Sequence, residues 1–246
     1  MTASVADDKT EVTKWTYNTK IPSYGATGWW DKSAYKEGMV LGDIWGLQFD
    51  RFLTEDDFNA DGSLKAGLPD QTKVFPAGYQ FAPGDVLYKD LDNNGEIVKQ
   101  TNTNDKGDLS VIGNALPRLQ FGLNLDAAWK GFDISMFFQG VAKRKLWAAG
   151  NQVLPGFTTG EPFYKGAEDY WTPENTDAFY PRPMDYKQSA SGNYSVNDRY
   201  LLNMAYLRLK TFTVGYSLPK VWLSKFKSAR FACFISLVKT FSPSTV

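Results

Sequence analysis

Histidine is absent from all 246 residues. That removes the side chain most used as a metal ligand and as a general base near neutral pH. A single cysteine, Cys233, excludes an internal disulfide and a thiolate metal cluster. Basic and acidic residues number 27 each, so the net charge is zero and no nucleic-acid partner is expected. No apolar run reaches the roughly 18 residues of a transmembrane helix. The opening MTASVADDKTEVTKW has neither a basic stretch nor an apolar one behind it, so no signal peptide is expected there.

What the chain has instead is aromatic and alternating. Eight Trp, thirteen Tyr and seventeen Phe suit the girdles of a membrane barrel and equally a carbohydrate-binding surface. From Arg118 to Ala142, Leu119, Phe121, Leu123, Leu125, Ala127 and Trp129 alternate with Gln120, Gly122, Asn124, Asp126 and Ala128. This is the period of a strand with one apolar face. Lys130-Gly131 then forms a two-residue turn, and Phe132, Ile134, Met136 and Phe138 resume the apolar set against Asp133, Ser135 and Gln139. Such a turn places Trp129 opposite Phe132, Ala127 opposite Ile134, Leu125 opposite Met136 and Leu123 opposite Phe138. All four pairs fall on the apolar face, so turn and pattern agree on register. Strands of about ten residues suit a tilted crossing of a bilayer. The same alternation also fits a soluble β-sandwich or jelly-roll hairpin lying on a core.

Other stretches read more simply. Residues 1 to 38 are polar and rich in turn formers, with Trp29 and Trp30 paired in a loop. Met39 to Leu53 reads as a strand, and Thr54 caps a short helical turn with Asp57 at its third position. Pro69, Pro76 and Pro83 keep residues 62 to 84 irregular. Lys143 to Asp198 has no long periodic element, but its aromatics imply that it is packed. Within it, Glu168 to Trp171 reads as a short helix ended before Pro173. The carboxylates there are sequence neighbours in a loop and carry no catalytic geometry, so no enzyme activity is expected. Tyr206 to Leu218 is a strand with Phe212, Val214, Tyr216 and Leu218 on one face, and a last strand begins at Arg230.

Asp90-Leu91-Asp92-Asn93-Asn94-Gly95-Glu96-Ile97 matches the first half of a calcium loop. Asp90, Asp92 and Asn94 stand at ligand positions, the Glu96 carbonyl follows Gly95, and an apolar residue comes next. The closing acid is missing, because the twelfth position is Thr101; Asp105 or Asp108 closes the loop only across an insertion. An Asn/Asp/Gly turn between strands is the alternative.

In order along the chain stand Pro83-Gly84-Asp85, Lys89-Asp90-Leu91-Asp92-Asn93-Asn94-Gly95, Val111-Ile112-Gly113-Asn114, Pro117-Arg118, Gly131-Phe132-Asp133, Phe137-Phe138-Gln139-Gly140, Tyr170-Trp171-Thr172-Pro173-Glu174-Asn175 and Tyr206-Leu207-Arg208-Leu209-Lys210. This ordered set, within a match that covers roughly Trp29 to Arg230, resembles the C-terminal part of SusC/RagA-type TonB-linked outer-membrane proteins. The resemblance implies an all-β fold: an open antiparallel sheet, one piece of a transmembrane barrel of about 22 strands closed around a plug. It implies import of glycans, oligosaccharides or peptides across the outer membrane of a Gram-negative bacterium. The implied partners are TonB, a SusD-like surface lipoprotein and membrane lipid; no cofactor beyond the possible calcium is implied. A soluble carbohydrate-binding module with Trp29, Trp30 and Trp171 as stacking platforms is the competing reading.

Three departures from that pattern set further expectations. Residues 1 to 246 read as one partial barrel without signal peptide, TonB box or plug, expected neither to close nor to transport alone. Val98 to Gly107 reads as an insertion before Asp108. The tail after Ser236, residues 237 to 246, reads LVKTFSPSTV where the family pattern has a sequence much like GENLFTF. Codons exist for which skipping two nucleotides restores that pattern, so a frameshift is the hypothesis, and genomic DNA across Ser236 tests it.

Overall fold

The computed structural model describes residues 1–15, 37–99, 107–148, 150, 153–155, 164–184, 192–218 and 232–237. Among them no α-helix occurs, and no helix is long and apolar enough to cross a membrane. The chain divides into two compact units, residues 1–9, 116–144 and 203–246, and residues 10–115 and 145–202.

The first unit is a five-stranded antiparallel sheet. Its strands are β1 (Thr2–Ala6), β6 (Arg118–Trp129), β7 (Phe132–Lys143), β10 (Tyr206–Ser217) and β11 (Ala232–Leu237), hydrogen-bonded in that order. β6 and β7 run twelve residues each and pair in the register expected from the sequence, Trp129 with Phe132 through Leu123 with Phe138. Lys130 (φ +47°) and Gly131 (φ +90°) are both left-handed, the conformation of a turn whose twist matches its strands. The end of β10 docks on this turn, with the Ser217 N–H donating to the Gly131 carbonyl at 2.7 Å.

β10 contains a bulge. Leu209 pairs with Phe138 and Thr211 with Phe137, so Lys210 is the extra residue. Leu207 and Leu209 lie on odd positions, whereas Phe212, Val214 and Tyr216 lie on even ones. One inserted residue keeps both sets on the same face. Leu119 departs from the expected alternation. It lies between the Arg118–Lys143 and Gln120–Val141 pairs with φ +52°, and its N–H donates to Asp7 at 3.2 Å.

β1 corrects the loop reading of the N-terminal residues. Ala3 pairs with Leu123 and Val5 with Phe121, placing this short edge strand in the apolar pattern. Trp29 and Trp30 lie outside the described residues.

The second unit holds β2 (Asp43–Gly46), β3 (Phe49–Phe52), β4 (Val86–Tyr88), β5 (Ser110–Asn114), β8 (Lys145–Leu146) and β9 (Leu202–Asn203), paired two by two as β2–β5, β3–β4 and β8–β9. The single strand expected over Met39–Leu53 is therefore two strands with different partners. The break falls at Leu47, whose N–H donates to the Val196 carbonyl at 2.9 Å. Thr54 does open a single 3₁₀ turn, with its N–H donating to the Asp57 carboxylate at 2.8 Å. Residues 62 to 84 are irregular as expected, yet they bury Val74 and Phe75.

The helix expected before Pro173 is not formed. A 3₁₀ turn occupies Lys165–Ala167 instead, and Thr172 and Asn175 bridge each other. Asp169 holds this turn by accepting from Asn175 Nδ2 at 3.1 Å and from the Phe179 N–H at 3.0 Å. Trp171 is buried against the core with Phe52, Val86 and Ile97, so it is no stacking platform. A Cβ on Gly84 would come 2.5 Å from the Trp171 ring, so glycine is required at that contact.

Candidate functional site: a two-faced wall and an acidic loop

The five-stranded sheet separates two chemistries. One face carries Leu123, Leu125, Met136, Phe138, Phe212 and Val214 in adjacent register. Its last row, at the Lys130-Gly131 end, is aromatic: Trp129 faces Phe132, and the Phe132 and Tyr216 rings lie 4.5 Å apart. Lys130 Nζ sits 4.7 Å from the Trp129 ring centroid.

The opposite face is hydrogen-bonded across strands. Asp126 accepts from Ser135 Oγ at 2.8 Å and from Asn124 Nδ2 at 2.7 Å. Asp126, Asp133, Ser135 and Thr213 line a groove of about 360 Å³. Nearer the other end stand Gln120, Gln139, Tyr206 and Arg208, related by the register of β6, β7 and β10. Phe137 also lies on this face, opposite Asn124, with its ring 3.4 Å from where a Gly122 Cβ would be. Alternation alone does not single it out, because a lone aromatic among polar alternates does not break the period.

Among the described residues, most side chains on both faces stay exposed or half-buried. In β6, β7 and β10 only Gly140, Val141 and Gly215 are buried. β1 ends, β6 begins, β7 ends and β10 begins at one end of the sheet, and the tight turn closes the other. The connections from β1 to β6 and from β7 to β10 start and finish at the first end, whereas β10 joins β11 at the other.

The acidic loop has a geometry of its own. Carboxylate oxygens of Asp90, Asp92 and Asp108 lie within 4.8 Å of one another. Gly95 (φ +84°) lets the chain turn back, and its N–H donates to Asp90 at 2.7 Å. Asp108 is fully buried and accepts the Leu91 and Val98 N–H groups at 2.7 Å each. Burial pushes its carboxyl above the usual carboxylate value despite those two donors. So Asp108 stands where the sequence left the closing acid open. Residues 100–106, most of the inserted stretch, and with them Thr101 and Asp105, lie outside the described residues. Asn94 is turned inward on the loop, accepting the Glu96 N–H at 2.7 Å. The Glu96 side chain pairs with Lys73 instead of joining the cluster.

No family model matches the chain. Two curated proteins of Formosa agariphila do. "TonB-dependent receptor P3" is 28% identical over 196 residues, 77% of this chain and 16% of that protein. "TonB-dependent receptor P26" is 34% identical over 132 residues, 52% of this chain and 12% of that protein. The chain thus spans only a small part of the length of these relatives. Among solved structures, the RagAB peptide transporter superposes with a TM-score of 0.57 at 14% identity, covering 96% of this chain and 23% of the other. The RagAB peptide importer in its closed-closed state gives 0.58 at 15% identity, covering 99% and 23%. The chain is thus similar in sequence to TonB-dependent receptors and in fold to RagAB. In a receptor of that type, the open sheet corresponds to a stretch of barrel wall. The relatives are named as receptors and transporters, not as enzymes.

Proposed function

We propose that this chain supplies part of the wall and connecting loops of an outer-membrane importer that takes up oligosaccharides or peptides. One observation carries the reading: three neighbouring twelve-residue strands alternate between an apolar and a polar face, and both faces stay exposed or half-buried among the described residues. Lipid takes the apolar face and a water-filled lumen the polar one. This satisfies the alternation and leaves backbone groups paired between strands. The aromatic row marks the interface at the short-turn, periplasmic side, and the long connections lie outside. TonB supplies energy and a SusD-like lipoprotein caps the pore. The competing carbohydrate-binding module loses Trp171, which is buried. The test is a strain deleted for the full receptor gene, grown on defined oligosaccharides and on peptides as sole carbon source. Growth should fail on one class and return with the intact gene and intact TonB. Unchanged growth on every substrate, with no lipoprotein co-purifying, would sink the proposal.

We also infer that Asp90, Asp92 and Asp108 hold a calcium ion, supported by three carboxylates converging on one point beside a buried loop end. Calcium would bring six to eight oxygens at about 2.3–2.6 Å, water and backbone carbonyls completing the set. Calorimetry on the full receptor should show a Kd no tighter than about 10⁻⁴ M, as in extracellular modules. Asp92→Ala should weaken binding at least about tenfold if the carboxylates are ligands. Equal binding by the variant would reduce the loop to a turn.

A further inference from the structure

Arg208 stands on the polar face of β10, opposite Gln139 of β7. Its guanidinium carbon lies 4.2 Å from the Tyr206 ring centroid, so one flat side is occupied by that ring. Its Nε is shielded from solvent and has no hydrogen-bond acceptor among the described residues. An ionised donor left without an acceptor is costly, and the Nε edge of a guanidinium is the geometry that takes a carboxylate with two parallel bonds.

The face itself does not supply that carboxylate. Asp126 lies in the row of Ser135 and Thr213, and Asp133 in the row of Gly215. At about 3.4 Å per residue these rows are roughly 14 and 20 Å along β7 from Gln139, which faces Arg208, beyond the reach of the side chain. Asp7 is nearer that end, but both its oxygens are held by Arg118. Charge on this face is therefore sorted: Arg118, Lys143 and Arg208 toward the long-connection end, Asp126 and Asp133 toward the tight turn.

We infer that Arg208, seated on Tyr206 beside Gln139, is an anion-binding position of the polar face, built to receive a carboxylate. The inference rests on the proposed lumen assignment of that face. Two sources offer the same chemistry: a carboxylate of an imported molecule, or one from the remainder of the full receptor.

The test uses the full receptor in detergent, with ¹³C-acetate as probe and chloride as the control anion at equal ionic strength. If the position is open to solution, acetate resonances broaden saturably with the wild type and not with Arg208→Gln; Arg208→Lys restores part of the effect. If the receptor fills it, acetate is silent. Arg208→Gln then lowers the melting temperature, and the deficit shrinks when about 1 M salt screens the pair. Either result upholds an anion at Arg208 and names its source. Acetate silence together with a melting deficit that is absent, or that salt leaves unchanged, would overturn it. Neither readout depends on nutrient uptake, so failure here is separable from failure of the import proposal.

Discussion

Trp129 in the sheet is 69% exposed, whereas Trp147 and Trp171 in the second unit are 3% and 7% exposed. The same residue type thus serves two kinds of solvent. Apolar side chains stabilise a fold by leaving water. In the second unit the chain removes its own: Phe52, Val86, Ile97 and Trp171 close one core and Trp147, Leu154, Tyr194 and Tyr200 another. In the sheet, Leu125, Met136 and Phe212 line up in register and stay only half-buried among the described residues. On the proposed barrel reading, a bilayer completes their burial. Polar groups differ in the same way. The free edge of β4 is satisfied by side chains, Gln71 Nε2 donating to the Val86 carbonyl at 2.8 Å and the Val86 N–H donating to Asn193 Oδ1 at 2.8 Å. The outer edges of β1 and β11 have no strand beside them among the described residues. They need further strands to pair inside hydrocarbon. One unit carries its environment within it, and the other depends on its surroundings.

The largest expected effect breaks the self-contained unit alone. Asp85 is fully buried and accepts from Arg182 Nε at 2.8 Å, Tyr79 Oη at 2.8 Å, Asn193 Nδ2 at 3.0 Å and the Ala82 N–H at 2.9 Å. Asp85→Ala strands all four donors, Arg182 among them. Removing one partner of a buried pair costs about 3–5 kcal/mol; Arg182 is partly solvated, so the lower end applies. Pulse proteolysis of the full receptor in rising urea should show early cleavage between residues 10 and 115, with the barrel still resistant. Simultaneous loss of both would mean the two regions are not held separately.

Next comes the sheet. If the apolar face meets lipid, Leu125→Arg near mid-strand should cost about 2–4 kcal/mol of barrel stability, while Asn124→Arg on the polar face costs far less. Urea unfolding in lipid vesicles measures both. Equal losses would erase the distinction between the faces and the membrane reading with it.

Much of this contrast was legible in the residues. The β6–β7 register followed from two local signals that agree, the alternation and a two-residue turn. The Lys210 bulge was legible in principle, because the apolar phase of Leu207 and Leu209 conflicts with that of Phe212 and Val214. β1 was missed because five residues give too short a period beside a polar opening. The second unit was largely illegible because distant residues satisfy it. The Phe49 N–H donates to Asp198, and Val86 depends on Asn193. No local spacing encodes such pairs. The Met39–Leu53 run looked like one strand because the sequence does not show which partner each half takes. The acidic loop fell between these extremes. Asp90 and Asp92 carried a motif, but Asp108 reaches them across an insertion that spacing rules do not span.

The smallest effect tests whether the second unit's surface contributes as well as its core. Arg51 grips the Asp57 carboxylate with both nitrogens, at 2.5 and 2.7 Å. That hydrogen-bonded guanidinium, aided by the Thr54 N–H, outweighs partial burial and lowers the Asp57 carboxyl to about 2 from its ordinary 3.8. The folded state therefore binds this proton less readily than the unfolded chain. The resulting stability is fully present above about pH 4 and fades as pH falls toward about 2, because only the unfolded state gains the proton early. The Arg51 side chain is 41% exposed, so solvent screens the pair and about 1 kcal/mol is the expected size. In the urea and proteolysis assay, wild type should lose this increment between about pH 4 and pH 2. Asp57→Asn should lack it at every pH. An acid slope shared equally by both proteins would place the titrating group elsewhere and leave the core as the unit's main support.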